Sequence, residues 1–218
     1  MSPVRSDRSY AGRSPDQRRI DRRRRLLEAA LDRFTANGFP GTSITEVCRA
    51  AGVAPVQFYE EFTGRDALLA ALYDEIVAES LAAVRAVSEG APATVTARIR
   101  AGLAAFCHSL LDDPRRARIV GVEIVGVSGA IEARRREVLR EFAGFVCDEF
   151  LMLESAGIPV RVHDPVALAV TSMALVGGVH EAMVDWLLEP SPIPLPAVVD
   201  ALTELFLAAA RHIPIPDS

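Results

Sequence analysis

Apolar residues recur at helical spacing through most of the chain, and no alternating strand pattern persists long enough to compete. The first clear stripe has members at i, i+3, i+4 and i+7, namely Leu27, Ala30, Leu31 and Phe34. This spacing gives a helix one apolar face, and the glycine of the pair Asn37-Gly38 is the residue type that most often ends helices. The pattern therefore predicts an all-α fold whose first helix ends at this pair.

Two short helices joined by a glycine-centred turn are predicted next. Ser43 and Glu46 have the spacing of a capping box, and Gly52 can take the left-handed conformation that ends the first of these helices. Pro55 suits the first position of the second helix, and the two phenylalanines after it share a buried face. This is the layout of a helix-turn-helix, which places a recognition helix in the DNA major groove, although an ordinary helical hairpin has the same turn glycine.

Caps and breakers predict six further helices, which makes about nine in all. Thr63 with Asp66 is expected to cap a long fourth helix. The inner side of that helix carries Leu69, Leu72, Tyr73, Ile76, Ser80 and Val84. The remaining helices are predicted over residues 94–111, 115–125, 128–156, 165–188 and 197–212.

Charge is divided unevenly along the chain. Residues 1–65 contain 12 arginines and 8 acidic residues, a balance of +4, whereas the whole chain carries −5 and residues 66–218 therefore carry −9. The densest basic run, over residues 18–25, suits an arm that lies along phosphates or enters a minor groove; the alternative is a solvated charge run. Because residues 1–17 are polar and lack an apolar period, we expect them to form a disordered tail.

Other classes of function lack their motifs. The chain contains no G-x-G-x-x-G, G-x-S-x-G or H-E-x-x-H, so no enzyme activity is expected. The three cysteines lack C-x-x-C spacing and the four histidines form no i, i+4 pair, so we expect no disulfide, no metal and no cofactor. The longest uncharged apolar stretch, residues 165–179, is shorter than the ~20 residues of a membrane span, and no signal sequence is evident. A cytoplasmic protein without a membrane partner is expected.

Residues 26–81 closely resemble the DNA-binding domain of the tetracycline-repressor (TetR) family of bacterial regulators. The resemblance rests on Ala29-Ala30, Phe34, Asn37-Gly38-Phe39, Thr42-Ser43-Ile44, Ala51-Gly52-Val53, Phe58-Tyr59, Phe62 and Leu68-Leu69. It implies a DNA-binding domain over residues 18–65 with its helix-turn-helix at 43–62, then a larger helical effector-binding and dimerisation domain over residues 66–212 and a tail over 213–218. It also implies a homodimeric, ligand-responsive transcriptional regulator, most often a repressor, that binds a palindromic operator in double-stranded DNA.

The second short helix supplies candidates for reading bases. Gln57 can pair with adenine, and Val56 can contact a thymine methyl group. Glu60 can accept a hydrogen bond from cytosine. The alternative is that Glu60 and Glu61 are both solvated surface acids, and for Glu61 this alternative is favoured at least as much as a contact with DNA. The chain departs from the family pattern at residues 54–56 and at these two acids, which affects the operator sequence more than DNA binding itself.

Other candidates follow from the resemblance, which marks Thr42, Thr45, Tyr59 and Arg65 as phosphate-contacting positions that set register. With the basic run and the ends of the two short helices, the candidate DNA-binding residues are Arg22, Arg23, Arg24, Arg25, Thr42, Ser43, Thr45, Pro55, Val56, Gln57, Tyr59, Glu60 and Arg65.

The last two helices are too apolar for an isolated surface. Residues 165–188 carry a stripe of small residues that allows another helix to approach closely, and residues 197–212 have apolar sides of their own. By the resemblance, both helices would form a four-helix interface in a homodimer. Packing within one chain, against the fifth and seventh helices, is the alternative.

Large apolar side chains with a few polar groups among them suggest a small-molecule site in the second domain. The candidates for ligand binding are Phe106, Phe145, Met173 and His180. The same residues also suit a plain core. An effector would be apolar or aromatic with one or two hydrogen-bonding groups; a regulator with a protein effector or none, and a helical small-molecule carrier without operator binding, are the alternatives.

Overall fold

The structure is a computed structural model that describes residues 14–90, 94–155, 164–188 and 193–211. Within these ranges every regular element is a helix, which confirms the predicted all-α class. The elements are α1 (Pro15–Asn37), α2 (Ile44–Ala51), α3 (Pro55–Tyr59), α4 (Arg65–Glu89), α5 (Val95–Leu111), α6 (Pro114–Arg118), a π-helical turn (Ile119–Glu123), α7 (Gly129–Ser155), α8 (Pro165–Leu188) and α9 (Leu195–Arg211). The predicted C-terminal tail, residues 213–218, lies outside the described residues.

The helix-turn-helix forms where its local signals predicted it. The Ser43 hydroxyl accepts from the Glu46 amide at 3.2 Å, while the Glu46 carboxylate accepts from the Ser43 amide at 2.8 Å, so the capping box is complete. Gly52 ends α2 with φ of +61°, the left-handed region that only glycine enters cheaply. Pro55 opens α3, and Phe58 anchors it in the core. These features hold α2 and α3 as one small unit against α1.

Helix α1 begins earlier than its apolar stripe indicated. Ser14 caps it by accepting from the Gln17 amide at 3.1 Å, and Pro15 takes the first helical position. Residues 15–17 therefore belong to α1 and not to the tail predicted over residues 1–17, and residues 1–13 lie outside the described part of the chain. The basic run at residues 18–25 belongs to the helix, so these residues do not form an extended arm. Their contact with phosphates stays a prediction.

Two other local predictions differ from the structure. The N-cap of α4 is Gly64, which has no side chain to donate or accept, so the predicted cap by Thr63 is wrong. The inner face predicted for α4 is confirmed, because all six of its named residues are buried. The single helix predicted over residues 115–125 is divided into α6 and the π-helical turn, where Gly121 packs closely on Val184 of α8.

The larger part of the chain is a layered helical bundle. Helix α4 packs against α5 and α7, α5 packs against α9, and α7 packs against α8. Because α4 also contacts α1, it joins the helices of the N-terminal region to this bundle. The boundary between domains at residues 65 and 66 stays a prediction.

Helix α8 is unusually apolar and poorly covered. Of the helices in the described ranges, it alone is long and apolar enough, by length and composition, to cross a membrane. Its best 18-residue window has a mean hydropathy of 1.5, and only 28% of that window is buried. Every 18-residue window of α8 includes Glu181, which lies beyond the uncharged stretch of residues 165–179. The helix packs one side on α7 and leaves the other side exposed.

Candidate DNA-binding surface and effector cavity

Helix α3 is very short, and large side chains on it are exposed to solvent. Val56 is 69% exposed and Tyr59 is 60% exposed, while Phe58 between them is fully buried. Gln57 and Glu60 are exposed on the same helix end. Four candidate base-reading or phosphate-contacting side chains therefore share one accessible surface.

Glu61 lies just beyond this surface and is the buried member of an ion-pair cluster. Its carboxylate accepts from Arg22 Nη2 at 2.6 Å and Nε at 3.1 Å, and from Arg19 Nε at 3.3 Å. Its side chain is fully covered, unlike that of Glu60, which is half-exposed and also pairs with Arg22 at 2.9 Å. Burial opposes the charge on Glu61, but the hydrogen bonds from Arg22 and Arg19 outweigh it and lower its pKa. Glu61 therefore fastens the end of the helix-turn-helix to α1.

The arginines of α1 divide into those with structural partners and those facing solvent. The Arg23 guanidinium lies 4.6 Å from the centre of the Phe62 ring. Arg25 Nη1 donates to the carbonyl oxygens of Ala51 and Gly52, at 3.0 and 3.2 Å, and so satisfies the C-terminal end of α2. Arg24 is exposed and makes none of these contacts. Arg22, Arg23 and Arg25 thus support the fold of this domain, whatever they contact in DNA.

The loop between α1 and α2 is held from several directions. The Thr42 side chain is buried, and its hydroxyl donates to the carbonyls of Arg33 and Gly38 at 3.0 and 2.9 Å. Arg65 Nη1 donates to the Thr42 carbonyl at 2.7 Å, and its guanidinium stacks 4.3 Å from the centre of the Phe39 ring. The Thr42 hydroxyl therefore turns inward in this conformation, away from any phosphate. Of the candidates at this end of α2, Ser43 and Thr45 are the exposed ones.

A long apolar cavity runs through the bundle between α4, α5, α7 and α8. Its volume is about 120 Å³, and it is partly open to solvent. Phe106, Phe145 and His180 line it, so three of the four candidate ligand residues come together. Phe106 packs edge-on against Phe142 with ring centres 5.2 Å apart. The walls suit an apolar guest.

Polar groups are confined to a few places along the cavity. The Ser80 hydroxyl is already used, because it donates to the Ile76 carbonyl at 2.9 Å. Arg98 and Glu149 both line the cavity and pair with each other at 2.8 Å. At the other end, His180 Nδ1 lies 3.5 Å from a Glu181 oxygen. The polar head of a guest would therefore meet the Arg98–Glu149 pair, the His180 imidazole or one of the hydroxyl groups of Tyr73 and Ser88.

Met173 does not line this cavity, which corrects its assignment as a ligand residue. It is 36% exposed and lies on the outer side of α8 with Val166 and Val170. The inner side of that helix is formed by Leu168, Ser172, Leu175, Val179 and Met183. Both sides are apolar at helical spacing, so the sequence pattern alone did not distinguish the cavity side from the outer side.

Sequence reasoning also missed part of the cavity wall. Tyr73 and Val84 on α4 line it, as does Val138 on α7. The two residues on α4 were identified only as an inner face, and an inner face next to a cavity has the same pattern as one next to a solid core. Burial raises the pKa of Tyr73 to about 12, so its hydroxyl stays neutral.

The cysteines and potential metal ligands add no further site in the described ranges. Cys48, Cys107 and Cys147 are free thiols. Burial raises the pKa of Cys107 to about 11, which keeps it protonated and unreactive. No group of three or more histidine, cysteine, aspartate or glutamate side chains among the described residues could hold a metal ion.

The chain resembles known bacterial regulators in both sequence and fold. Residues 26–72 match the family model for bacterial regulatory proteins of the tetR family. The chain is similar in fold to the fatty acid degradation regulator FadR from Bacillus halodurans, with a TM-score of 0.75 and 17% identity over 90% of this chain and 96% of that one. It is also similar to the transcriptional regulator FadR from Bacillus subtilis in complex with stearoyl-CoA, with a TM-score of 0.74 and 16% identity over 85% and 98%. A regulatory protein in the tetR family from Rhodococcus RHA1 aligns with a TM-score of 0.65 and 20% identity over 90% and 98%.

Proposed function

Because the chain belongs to the TetR family of bacterial regulatory proteins, we propose that it is a homodimeric repressor in the bacterial cytoplasm that releases a palindromic operator when an effector fills its cavity. The observation that carries the proposal is the surface of α3, whose exposed side chains lie on a helix that is anchored by Phe58 and at its C-terminal end. Phe58 anchors it in the core, and Glu61 ties its end to α1.

The shape of α3 suits the major groove. Val56 offers an apolar contact for a thymine methyl group, and Gln57 offers a donor and an acceptor for adenine. Tyr59 ends the same helix, where its hydroxyl suits a phosphate contact. Anchoring a five-residue helix this firmly lowers the entropy lost when it docks, which favours specific over loose binding.

Charge supports the same surface. The N-terminal 65 residues carry +4, and Arg24 is among the cations that the fold leaves exposed. The remaining −9 would keep the rest of the molecule away from phosphates. Binding through this one face should weaken as salt rises, because each neutralised phosphate releases counterions.

The exposed side of α8 supports a homodimer. Val166, Val170 and Met173 form an apolar stripe there, and Leu205 is exposed on α9. Exposing this much apolar surface in water is unfavourable, and a second copy would cover it. Two recognition helices related by a two-fold axis can dock successive major grooves about 34 to 36 Å apart. The same pairing accounts for the high hydropathy of α8 without a membrane.

The cavity supports an apolar effector with a polar head. The Bacillus subtilis relative is in complex with stearoyl-CoA, whose acyl chain is long and apolar. In this chain, Arg98 could receive an anionic head if Glu149 turned toward solvent. An effector that prefers one position of α4 would shift the spacing of the recognition helices, with coupling of about 1 to 3 kcal/mol.

Selection of genomic fragments by the purified protein, repeated at two salt concentrations, tests the proposal without a guess about the effector. We expect a palindromic site whose affinity falls steeply with salt. Gln57→Ala should alter the preference at one position in each half-site and leave the other positions unchanged. Uniform, sequence-independent binding would contradict the proposal and favour a small-molecule carrier.

A further inference from the structure

Glu123 joins the bundle to the DNA-binding domain through a buried contact. It lies at the end of the π-helical turn, and its Oε2 accepts from the Phe39 amide at 2.7 Å. Its Oε1 accepts from Arg118 Nε at 2.9 Å, and its side chain is almost fully covered. A charged acceptor with both oxygens occupied and little water nearby makes this a strong hydrogen bond.

The acceptor acts on the loop that places α2. Gly38 has φ of +76°, and a Cβ built on it would lie 3.8 Å from Glu123 Oε2, so the loop approaches the carboxylate closely. Phe39 follows directly, with its ring buried against Phe34 at 5.2 Å. Arg65 Nη1 donates to the carbonyl groups of Pro40 and Thr42 and so holds the other end of the same loop. Moving Glu123 would therefore displace the loop just before the capping box.

The other side of the π-helical turn faces the effector cavity. Val120 lines the cavity wall, three residues before Glu123. A smaller void continues from the cavity and is lined by Val120, Gly121 and Val184, with His180 shared between the two. A Cβ on Gly121 would lie 2.5 Å from Val184 Cγ2, so the backbone of the turn approaches the Val184 side chain closely.

The turn itself is suited to having two arrangements. The Ile124 amide donates to the Ile119 carbonyl at 3.2 Å, the i to i+5 bond of a π-helix, which spans one more residue than the bond of an α-helix. Such single turns are rare and occur often at functional sites. A second contact, from Arg115 Nη1 to Asp32 at 2.5 Å, joins α6 to α1 independently of the turn.

We propose that the π-helical turn transmits cavity occupancy to the DNA-binding domain through Glu123. A guest at the inner end of the cavity displaces Val120, the turn shifts, and the bond from Glu123 to the Phe39 amide weakens. The loop before α2 then loosens, which lowers operator affinity. This inference rests on the proposed function. It adds a route from the cavity to the DNA-binding domain that does not pass through α4.

Gly121→Ala tests the route without an effector, because the added methyl would overlap Val184 Cγ2 and push the turn and the Val184 side chain apart. Gly144→Ala on α7 is the matched control, since a Cβ there meets nothing within 4 Å. Hydrogen exchange of the DNA-free protein is measured first. We expect the Phe39 amide to exchange about fivefold faster or more in Gly121→Ala, with Gly144→Ala unchanged.

Operator affinity is measured second, in a cycle with Glu123→Ala, which removes both acceptor oxygens. Gly121→Ala should weaken operator binding about fivefold or more in the natural background and less than about twofold beside Glu123→Ala. Thermal unfolding checks that each variant folds, and Val120→Leu replaces Gly121→Ala if the latter does not.

The outcomes separate the two proposals. Unchanged exchange at Phe39 in both cavity-side variants overturns the route, whether or not the protein binds an operator. Equal loss of affinity in both backgrounds also overturns it. Faster exchange at Phe39 in a protein that selects no operator would support the route and contradict the proposed function.

Discussion

Arg22 and Glu61 form the closest link between α1 and the recognition end of the helix-turn-helix, with Arg22 Nη2 and Nε 2.6 and 3.1 Å from one carboxylate oxygen. The pair joins residues that are distant in sequence and covers the Glu61 side chain completely. Because Arg22 also reaches Glu60, the geometry of α3 depends on a residue of the basic run. The run thus has a structural role besides any contact with DNA.

Glu61→Gln should destabilise the DNA-binding domain. The amide keeps the shape of the side chain but loses its charge, so Arg22 and Arg19 are left with a weaker acceptor in a covered site. We expect a loss of about 1–3 kcal/mol in the free energy of unfolding, measured by urea titration. Glu60→Gln is the control, because that side chain is half-exposed and its loss should cost less than about 1 kcal/mol. Equal effects of the two substitutions would contradict this role.

The contribution of Glu61 should depend on pH. Its pKa is lowered from an ordinary value of 4.5, so the folded state binds fewer protons than the unfolded state below that pH. The stabilisation is therefore complete above about 4.5 and is lost as the pH falls through the folded pKa. Unfolding of the natural protein and of Glu61→Gln should differ most near neutral pH and converge on acidification. A constant difference from neutral to acid pH would show that the ion pair is not its source.

Neighbouring arginines in α1 should have separable roles. Arg24→Ala should leave stability nearly unchanged and weaken binding to all DNA sequences, lowering the slope of log affinity against log salt by about 1. Arg25→Ala should lower stability, because the terminal carbonyls of α2 lose their donor. Arg140→Ala, an exposed arginine on α7, is the control and should change neither quantity. Calorimetry and titrations at three salt concentrations distinguish these results.

Local signals explain what the sequence could predict. The capping box of Ser43 and Glu46, the turn at Gly52 and the proline start of α3 each act within a few residues, so they specify their elements without the rest of the fold. Ser14-Pro15 is the same kind of signal. It was not recognised as the start of α1 because the arginine-rich residues that follow it carry no apolar stripe.

Long-range contacts explain what the sequence could not predict. Glu61 is covered because Arg22 and Arg19 of α1 pair with it, and no residue near Glu61 in the sequence indicates these contacts. The π-helical turn packs at Gly121 against Val184, which belongs to a helix distant in sequence. Met173 was misassigned because both sides of α8 are apolar, and only the placement of α7 decides which side faces inward.

The outer side of α8 should be the dimer contact. Val170 is 64% exposed, and Val170→Glu would place unpaired charges in the interface of two copies. We expect the natural protein to have the mass of a dimer by light scattering at micromolar concentration, and the variant to have that of a monomer. Val125→Glu is the control, since Val125 is also exposed but lies outside α8 and α9. An unchanged mass for Val170→Glu would place the interface elsewhere.

Operator binding with one half-site scrambled tests the central claim most directly. The selected site and its scrambled version are titrated with the purified protein, and the mass of each complex is measured. We predict two chains on the intact site and a loss of affinity of about 4 kcal/mol or more on the scrambled one, as for other specific sites. One chain per site, or equal affinity for both sequences, would contradict a homodimeric regulator that reads a palindrome.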